Sequence, residues 1–348
     1  MPSPHRSPAA AFPVVDLRPG AGPAEGAIRA AAEELGAFLV VGHGLDLALV
    51  AEWEAHVDRL LTQPRERKAE LASPTGHPFR GWRQWPDDFG RLELERYMVH
   101  RYDDAAAARA AGVAEEHLGY YAHANVWPAR DPALRGLTHR YLDEAVGLAE
   151  RLLERFAGAL GVPAGRLALP RPDTTNLTVN EYPTWTWPDD GDGAADGDDP
   201  KLLLLEHADG NVLTLLRQGG TYEGLQVQRR DGSWTTVPVV ADAFLVLLGT
   251  SMVRLTNGRW SEGRHRVVAG GEQRRRSTAI FYSPAFDTLL EPIPELVDDE
   301  PPAFEPLTVW DVSQGFVDDY LRVFARPAQV EAWSTRTPYI ADVVLGSR

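Results

Sequence analysis

Three side chains in the second half of this 348-residue chain could together do redox chemistry: His207, Asp209 and His265. His207 and Asp209 are two residues apart, so in a strand or tight turn both project to one face and can reach a single ion. His265 opens a separate strand-like run, His265-Arg266-Val267-Val268, and would have to arrive from a neighbouring strand. Two imidazoles and one carboxylate, with the remaining positions open, suit Fe(II) in a mononuclear non-haem site. The triplet alone is a weak signal, because a strand histidine is more often a packed structural residue. The distribution of histidines adds weight: of ten in the chain, seven of the other eight precede residue 125, and the eighth is His139.

The elements that must position these residues are strands. From residue 176 the apolar pattern changes from helical to strand-like, with candidate strands at 176–182, 201–206, 212–217, 224–229, 234–238, 243–247, 252–256, 265–268 and 277–283. Turn signals separate them: Asp209-Gly210, Gly219-Gly220, Asp231-Gly232, Asn257-Gly258 and Gly270-Gly271. Many short strands with regular turns imply a sandwich or barrel. Upstream, strands are expected at 12–17, 37–41 and 94–102, and helices at 24–35, 46–62 and 66–71, with Asp46 as an N-cap and Gly36 as a stop. The strongest helical pattern covers 132–161, where Leu134, Leu137, Tyr141, Ala145, Leu148, Leu152, Phe156 and Leu160 recur at three- and four-residue spacing. Residues 73–91 read as a loop rich in Gly, Pro and Trp, and 312–326 as a last helix.

Composition narrows the class. No cysteine is present, which excludes disulfides, thiolate metal sites and cysteine nucleophiles. The net charge of −15 argues against binding a phosphate backbone. There is no apolar run of membrane-spanning length and no signal-peptide h-region at the start, so the expected compartment is the cytoplasm. Two acidic runs, 189–199 and 291–305, each carry six acidic residues and no base, and read first as solvated loops. The two lysines, with arginine as the dominant base and much Ala, Gly and Pro, associate with a GC-rich bacterial genome.

The stretch around the three ligands resembles the isopenicillin N synthase-like family of Fe(II)/2-oxoglutarate oxygenases. The motifs fall in the family's order: His207-Ala208-Asp209, Gly210, Leu213-Thr214-Leu215-Leu216, Gln218, Gly224-Leu225-Gln226-Val227, Gly232-Ser233-Trp234 and Val237-Pro238. Thr256-Asn257-Gly258, His265-Arg266-Val267 and Arg275-Arg276-Ser277 follow, and the likeness extends over about 12–285. Ala208 stands where the family has Thr, and Leu247-Leu248-Gly249-Thr250 replaces an Asn-x-Gly-Asp segment. The resemblance implies an α+β fold, a double-stranded β-helix (jelly roll) core flanked by helices. It implies Fe(II) held by His207, Asp209 and His265, with O2 as oxidant and 2-oxoglutarate as cosubstrate. Arg275 and Ser277 would grip the distal carboxylate, a role that suits a planar guanidinium fork beside a hydroxyl. Asn180 and Tyr182, in an Asn-x-Tyr-Pro segment, would face the same cosubstrate. The chemistry implied is hydroxylation, desaturation or oxidative ring closure. Halogenation is disfavoured, because Asp209 fills the place a halide would need.

The expected organisation is one integrated domain: a disordered start at 1–11, an N-terminal α/β region at 12–125 packing on the core, the jelly roll with its long helix at 126–290, and a helical extension at 291–348. The expected partner is a small molecule, with no nucleic acid, no membrane, and a monomer or weak homo-oligomer. Phe79, Arg80, Trp82, Trp85, Tyr97, Tyr102 and Phe281 are candidate pocket residues, with Trp185 and Trp187 at the mouth. A Trp-rich rim beside the acidic run suggests a polar or cationic bacterial metabolite, such as an aminoglycoside in antibiotic biosynthesis. Two alternatives stay open: a 2-oxoglutarate-independent non-haem iron oxidase, and a jelly roll that binds a small molecule without catalysis.

Overall fold

The computed structural model describes residues 11–75, 77, 79–86, 93–182, 202–269, 274–298 and 301–315. The strands are β1 (Val14–Asp16), β2 (Ala37–Val41), β3 (Gly81–Pro86), β4 (Glu93–His100), β5 (Asn176–Tyr182), β6 (Leu202–His207) and β7 (Leu213–Gly219). They continue as β8 (Leu225–Gln228), β9 (Trp234–Thr236), β10 (Phe244–Leu248), β11 (His265–Val268), β12 (Arg275–Tyr282), β13 (Leu289–Leu290) and β14 (Leu307–Thr308). The α-helices are α1 (Glu25–Glu34), α2 (Leu47–Leu61), α3 (Arg65–Ala69), α4 (Ala105–Ala110), α5 (Ala133–Leu160) and α6 (Thr250–Leu255).

Strand alternation builds two cores. The large sheet has eight strands in the order β1-β2-β10-β7-β12-β5-β4-β3, and a second sheet of four runs β6-β11-β8-β9. On the large sheet's outer face, Phe38, Val40, Tyr97, Val99, Leu177, Val179, Leu215, Phe244, Val246 and Ile280 pack with α1, α2 and α5. Alternate residues of the same strands, Leu39, Met98, Tyr182, Leu216, Leu245 and Ala279, pack with Leu203, Leu225, Val227 and Val267 of the second sheet. Burial on both faces explains why AFLVV and FLVLL read as unbroken apolar runs. The result is the jelly roll with helices on one side. Strands β1 to β4 from the N-terminal region complete the same large sheet, so the chain's first third is woven into the core.

Local signals account for the helix ends. The Asp46 carboxylate accepts from the Ala48 and Leu49 amides and caps α2, an arrangement worth about 1 kcal/mol. α5 stops at Gly161, which is left-handed. Gly36, at φ +59°, turns the chain into β2 where a Cβ would lie 2.3 Å from the Ser261 carbonyl oxygen, so only glycine fits.

Two sequence expectations are corrected. The strand expected at 252–256 is helix α6: Met252 and Leu255 bury one face, and Asn257 and Gly258 adopt positive φ to end it. Its β-branched and apolar residues mimic a strand over so short a length. The loop expected across 73–91 contains β3, an edge strand pairing with β4 from Gly81↔Met98 to Pro86↔Glu93. The helix expected at 312–326 begins within a helical segment at 309–315; its remainder lies outside the described residues, as does the start at 1–10. No helix among the described residues is long and apolar enough to cross a membrane.

Candidate active site

β6 and β11 are antiparallel neighbours, with His265 directly opposite His207. The imidazoles lie side by side with centroids 4.2 Å apart, and His207 Nε2 is 3.8 Å from Asp209 Oδ1. Ligand atoms of His207, Asp209 and His265 all fall within 4.8 Å of one another, the one such cluster among the described residues. Each histidine donates from Nδ1 to a backbone carbonyl, His207 to Leu205 at 2.8 Å and His265 to Gly263 at 2.9 Å. A carbonyl only accepts, so each Nδ1 carries the ring proton and each Nε2 keeps its lone pair for a metal. Burial, then the neighbouring His265, lowers the His207 pKa to about 4, which keeps the ring neutral near pH 7. Asp209 is 8% exposed at its side chain. Its Oδ2 accepts from the Thr214 hydroxyl at 2.6 Å, leaving Oδ1 toward the histidines.

The turn carrying Asp209 is held from behind. Thr250 N–H donates to the Asp209 carbonyl at 2.8 Å and Gly249 N–H to Val212 at 3.1 Å. A Cβ on Gly249 would lie 1.9 Å from the Asn211 carbonyl oxygen. The glycine is kept although the polar residues around it in the related motif are absent. Asn211 Nδ2 donates to Leu213 O at 2.7 Å and to Thr214 Oγ1 at 3.1 Å. This donor set of two neutral imidazoles and a carboxylate fits Fe(II).

Across the interior, β12 presents Arg275 and Ser277 on its inner face. Arg275 is 1% exposed and its Nε has no hydrogen-bond partner. Its terminal nitrogens make long contacts, 3.5 Å to Ser277 Oγ and 3.4 Å to Gln218 Oε1. The guanidinium lies 4.9 Å from the Tyr182 ring centroid. Burial lowers its pKa and Tyr182 partly offsets this. Tyr182 is opposite Arg275 and Asn180 opposite Ser277 on β5. A buried cation is costly without a carboxylate partner; Arg275 has none among the described residues, and a dicarboxylate would supply one.

The candidate pocket residues divide by face. Phe79 is buried in the inner cluster and Phe281 packs against it. Arg80, Trp82 and Tyr97 have their polar groups engaged by structural partners. Arg80 donates to the carbonyls of His123, Phe79 and Tyr120, Trp82 to Glu95 at 3.3 Å and Tyr97 to the Val126 carbonyl at 2.7 Å. Trp82, Tyr97 and Tyr102 belong to the helix-side cluster. Trp85 pairs in register with Leu94, and its side chain lies outside the description. Trp185, Trp187 and the acidic run 189–199 lie outside the described residues. Sequence reasoning missed Thr214 and Gln218, though both sit in quoted motifs, and it missed Arg96. Arg96 Nε donates to Asn180 Oδ1 at 2.8 Å on the inner face.

Comparisons with known proteins agree with this geometry. Residues 174–284 match the model of the 2OG-Fe(II) oxygenase superfamily, and 12–129 that of the non-haem dioxygenase in morphine synthesis N-terminal region. The chain is 31% identical over 304 residues to 2-oxoglutarate-dependent dioxygenase 19 of Oryza sativa subsp. japonica, covering 84% of this chain and 82% of that one. It is 29% identical to jasmonate-induced oxygenase 4 of Arabidopsis thaliana, covering 85% and 79%. Among solved structures, the dioxygenase for auxin oxidation in rice superposes with a TM-score of 0.66 at 22% identity, over 92% of this chain and 99% of that one.

Proposed function

We propose, for a chain that belongs to the 2OG-Fe(II) oxygenase superfamily and is a non-haem Fe(II)/2-oxoglutarate-dependent dioxygenase, that Arg275 and Ser277 hold 2-oxoglutarate while a small organic molecule is oxidised beside it. The observation that carries the placement is the buried Arg275, which lacks any carboxylate partner among the described residues and faces the same interior as the three metal ligands. When bound, the iron supplies O2 activation coupled to decarboxylation of 2-oxoglutarate to succinate and CO2. The protein's own groups do the rest. His207, Asp209 and His265 would hold the ion, and Thr214 fixes the Asp209 carboxylate. The Arg275 fork and the Ser277 hydroxyl orient the distal carboxylate, with Tyr182 beside the guanidinium. Phe79, Phe281 and Met98 give the interior an apolar wall that keeps bulk water from the reacting groups. The carboxylate at Asp209 favours hydroxylation, desaturation or ring closure over halogenation.

The cationic, aminoglycoside-like substrate rested on the acidic run 189–199, which lies outside the described residues. The bases on the large sheet's inner face, Arg96 and Arg275, weigh against it. The relatives' names lend no support to antibiotic biosynthesis. The test is anaerobic titration of the metal-free protein with Fe(II) and then 2-oxoglutarate, watching for the visible charge-transfer band of the chelate. Folded protein without the band refutes the assignment. Substrate oxidation and O2 uptake that proceed without added 2-oxoglutarate would instead identify a 2-oxoglutarate-independent oxidase.

A further inference from the structure

One row of side chains crosses the large sheet's inner face from the cosubstrate residues toward its β3 edge. Consecutive cross-strand neighbours are Gln218 on β7, Ser277 on β12, Asn180 on β5, Arg96 on β4 and Arg83 on β3. With strands about 4.8 Å apart, Arg96 stands about 10 Å from Ser277, beyond the cosubstrate's grip. Arg96 is half-buried. Its Nε is committed to Asn180, and its terminal nitrogens have no hydrogen-bond partner among the described residues. No carboxylate lies within ion-pair distance of it among the described residues. Three other half-buried arginines have one: Arg217 has Glu54 at 2.7 Å, Arg264 has Glu206 at 3.0 Å and Arg276 has Asp58 at 3.1 Å. Arg83 stands directly opposite Arg96.

We propose that Arg96 binds a carboxylate of the organic substrate, so that the enzyme oxidises a small carboxylic acid. The inference rests on the function proposed above and names the substrate class for the same site. An apolar body would lie along Phe79, Met98 and Phe281, with the acid end fixed by a planar fork that matches carboxylate geometry. Fixing that end sets which carbon faces the iron.

The test uses protein loaded with Mn(II) and 2-oxoglutarate, which binds without turning over. Phenylacetate, 3-phenylpropanoate, cyclohexanecarboxylate and octanoate are each compared with their methyl esters by thermal shift. The expected result is concentration-dependent stabilisation by acids, with esters weaker by about tenfold or more. Arg96→Gln abolishes the difference. Arg96→Lys, which keeps the charge without the fork, preserves the preference for acids at lower affinity. The proposal is overturned if esters bind as well as acids, if no acid binds, or if Arg96→Gln retains the preference. Arg96→Gln that weakens 2-oxoglutarate while keeping the preference for acids would make Arg96 only a support for Asn180, and also overturns it. Failure of the underlying function is read separately, as loss of the Fe(II)/2-oxoglutarate band in the wild type.

Discussion

Replacing Thr214 by Val removes one hydroxyl and little volume, at a side chain 1% exposed. The hydroxyl donates to Asp209 Oδ2 at 2.6 Å, a short bond to a charged acceptor. Such bonds contribute about 1.5–3 kcal/mol. Asn211 would lose its 3.1 Å contact to Thr214 but keep its 2.7 Å bond to the Leu213 carbonyl, so the substitution leaves no second donor stranded. The metal-free protein is therefore expected to lose only modest stability. The larger effect falls on the metal, because the carboxylate is free to rotate away from the two Nε2 atoms. Loss of a group that orients a ligand typically weakens metal binding about 10- to 100-fold, or about 1.4–2.7 kcal/mol.

The assay is anaerobic titration with Mn(II) or Fe(II), followed by calorimetry and by the charge-transfer band on adding 2-oxoglutarate. Thr214→Ser keeps the hydroxyl and is expected to bind metal within about threefold of the wild type, a small fraction of the orienting effect. Thr214→Val with wild-type affinity, or Thr214→Ser impaired equally, refutes the reasoning.

Other consequences follow from the same geometry. Arg275→Met is expected to weaken 2-oxoglutarate by at least about thirtyfold, equivalent to about 2 kcal/mol or more, with metal affinity unchanged. Because it removes a buried cation that lacks an acid partner, its metal-free melting temperature should equal or exceed the wild type's; a lower melting temperature contradicts the picture. Gly249→Ala forces a Cβ to 1.9 Å from the Asn211 carbonyl oxygen. It should cost about 2–3 kcal/mol or more and weaken metal binding with it, measured by denaturant melts and titration. His100 is buried at 1% exposure, and burial, then the nearby Arg80 and His77, lowers its pKa well below the usual range, with the Phe79 backbone offsetting this in part. Its folded pKa lies below its unfolded one, so its contribution is full above about pH 6.5 and is lost as pH falls, by about 1.4 kcal/mol per pH unit. His100→Phe should flatten the stability profile between about pH 6 and 5; an unchanged slope would rule this group out as its source.

Much of the fold was legible because most elements state their burial in their periodicity. The long helix shows its apolar face, and AFLVV and FLVLL are buried on both sides of a covered sheet. The failures are short elements whose sequences fit two structures. MVRLT has strand propensity, yet over six residues α6 is decided by the Asn257-Gly258 end and by what Met252 and Leu255 meet in space. β3 hides among Gly, Pro and Trp because an edge strand needs a partner on one side only. The triad was legible because spacing in the chain maps onto a face, and because motif order supplied the third ligand. The supports were not. LTLL shows a strand, but only the folded turn brings the Thr214 hydroxyl onto Asp209 rather than into solvent.

The pocket shows what kind of information a single strand withholds. Trp82 and Tyr97, chosen for their aromatic rings, pair with each other in register and turn toward the helices. The neighbouring residue on each strand, Arg83 and Arg96, forms the adjacent pair and turns inward. The two readings differ by one residue of parity, and a one-residue shift exchanges the faces. Nothing within LERYMVH settles that parity, because Leu94 and Met98 are as apolar as Tyr97 and Val99 and both faces are buried. It is set by the ladder to β5, which places Arg96 against Asn180. The parity also sets the charge of the pocket: an aromatic wall beside an acidic run suits a cation, whereas the inward-facing Arg96 suits an acid.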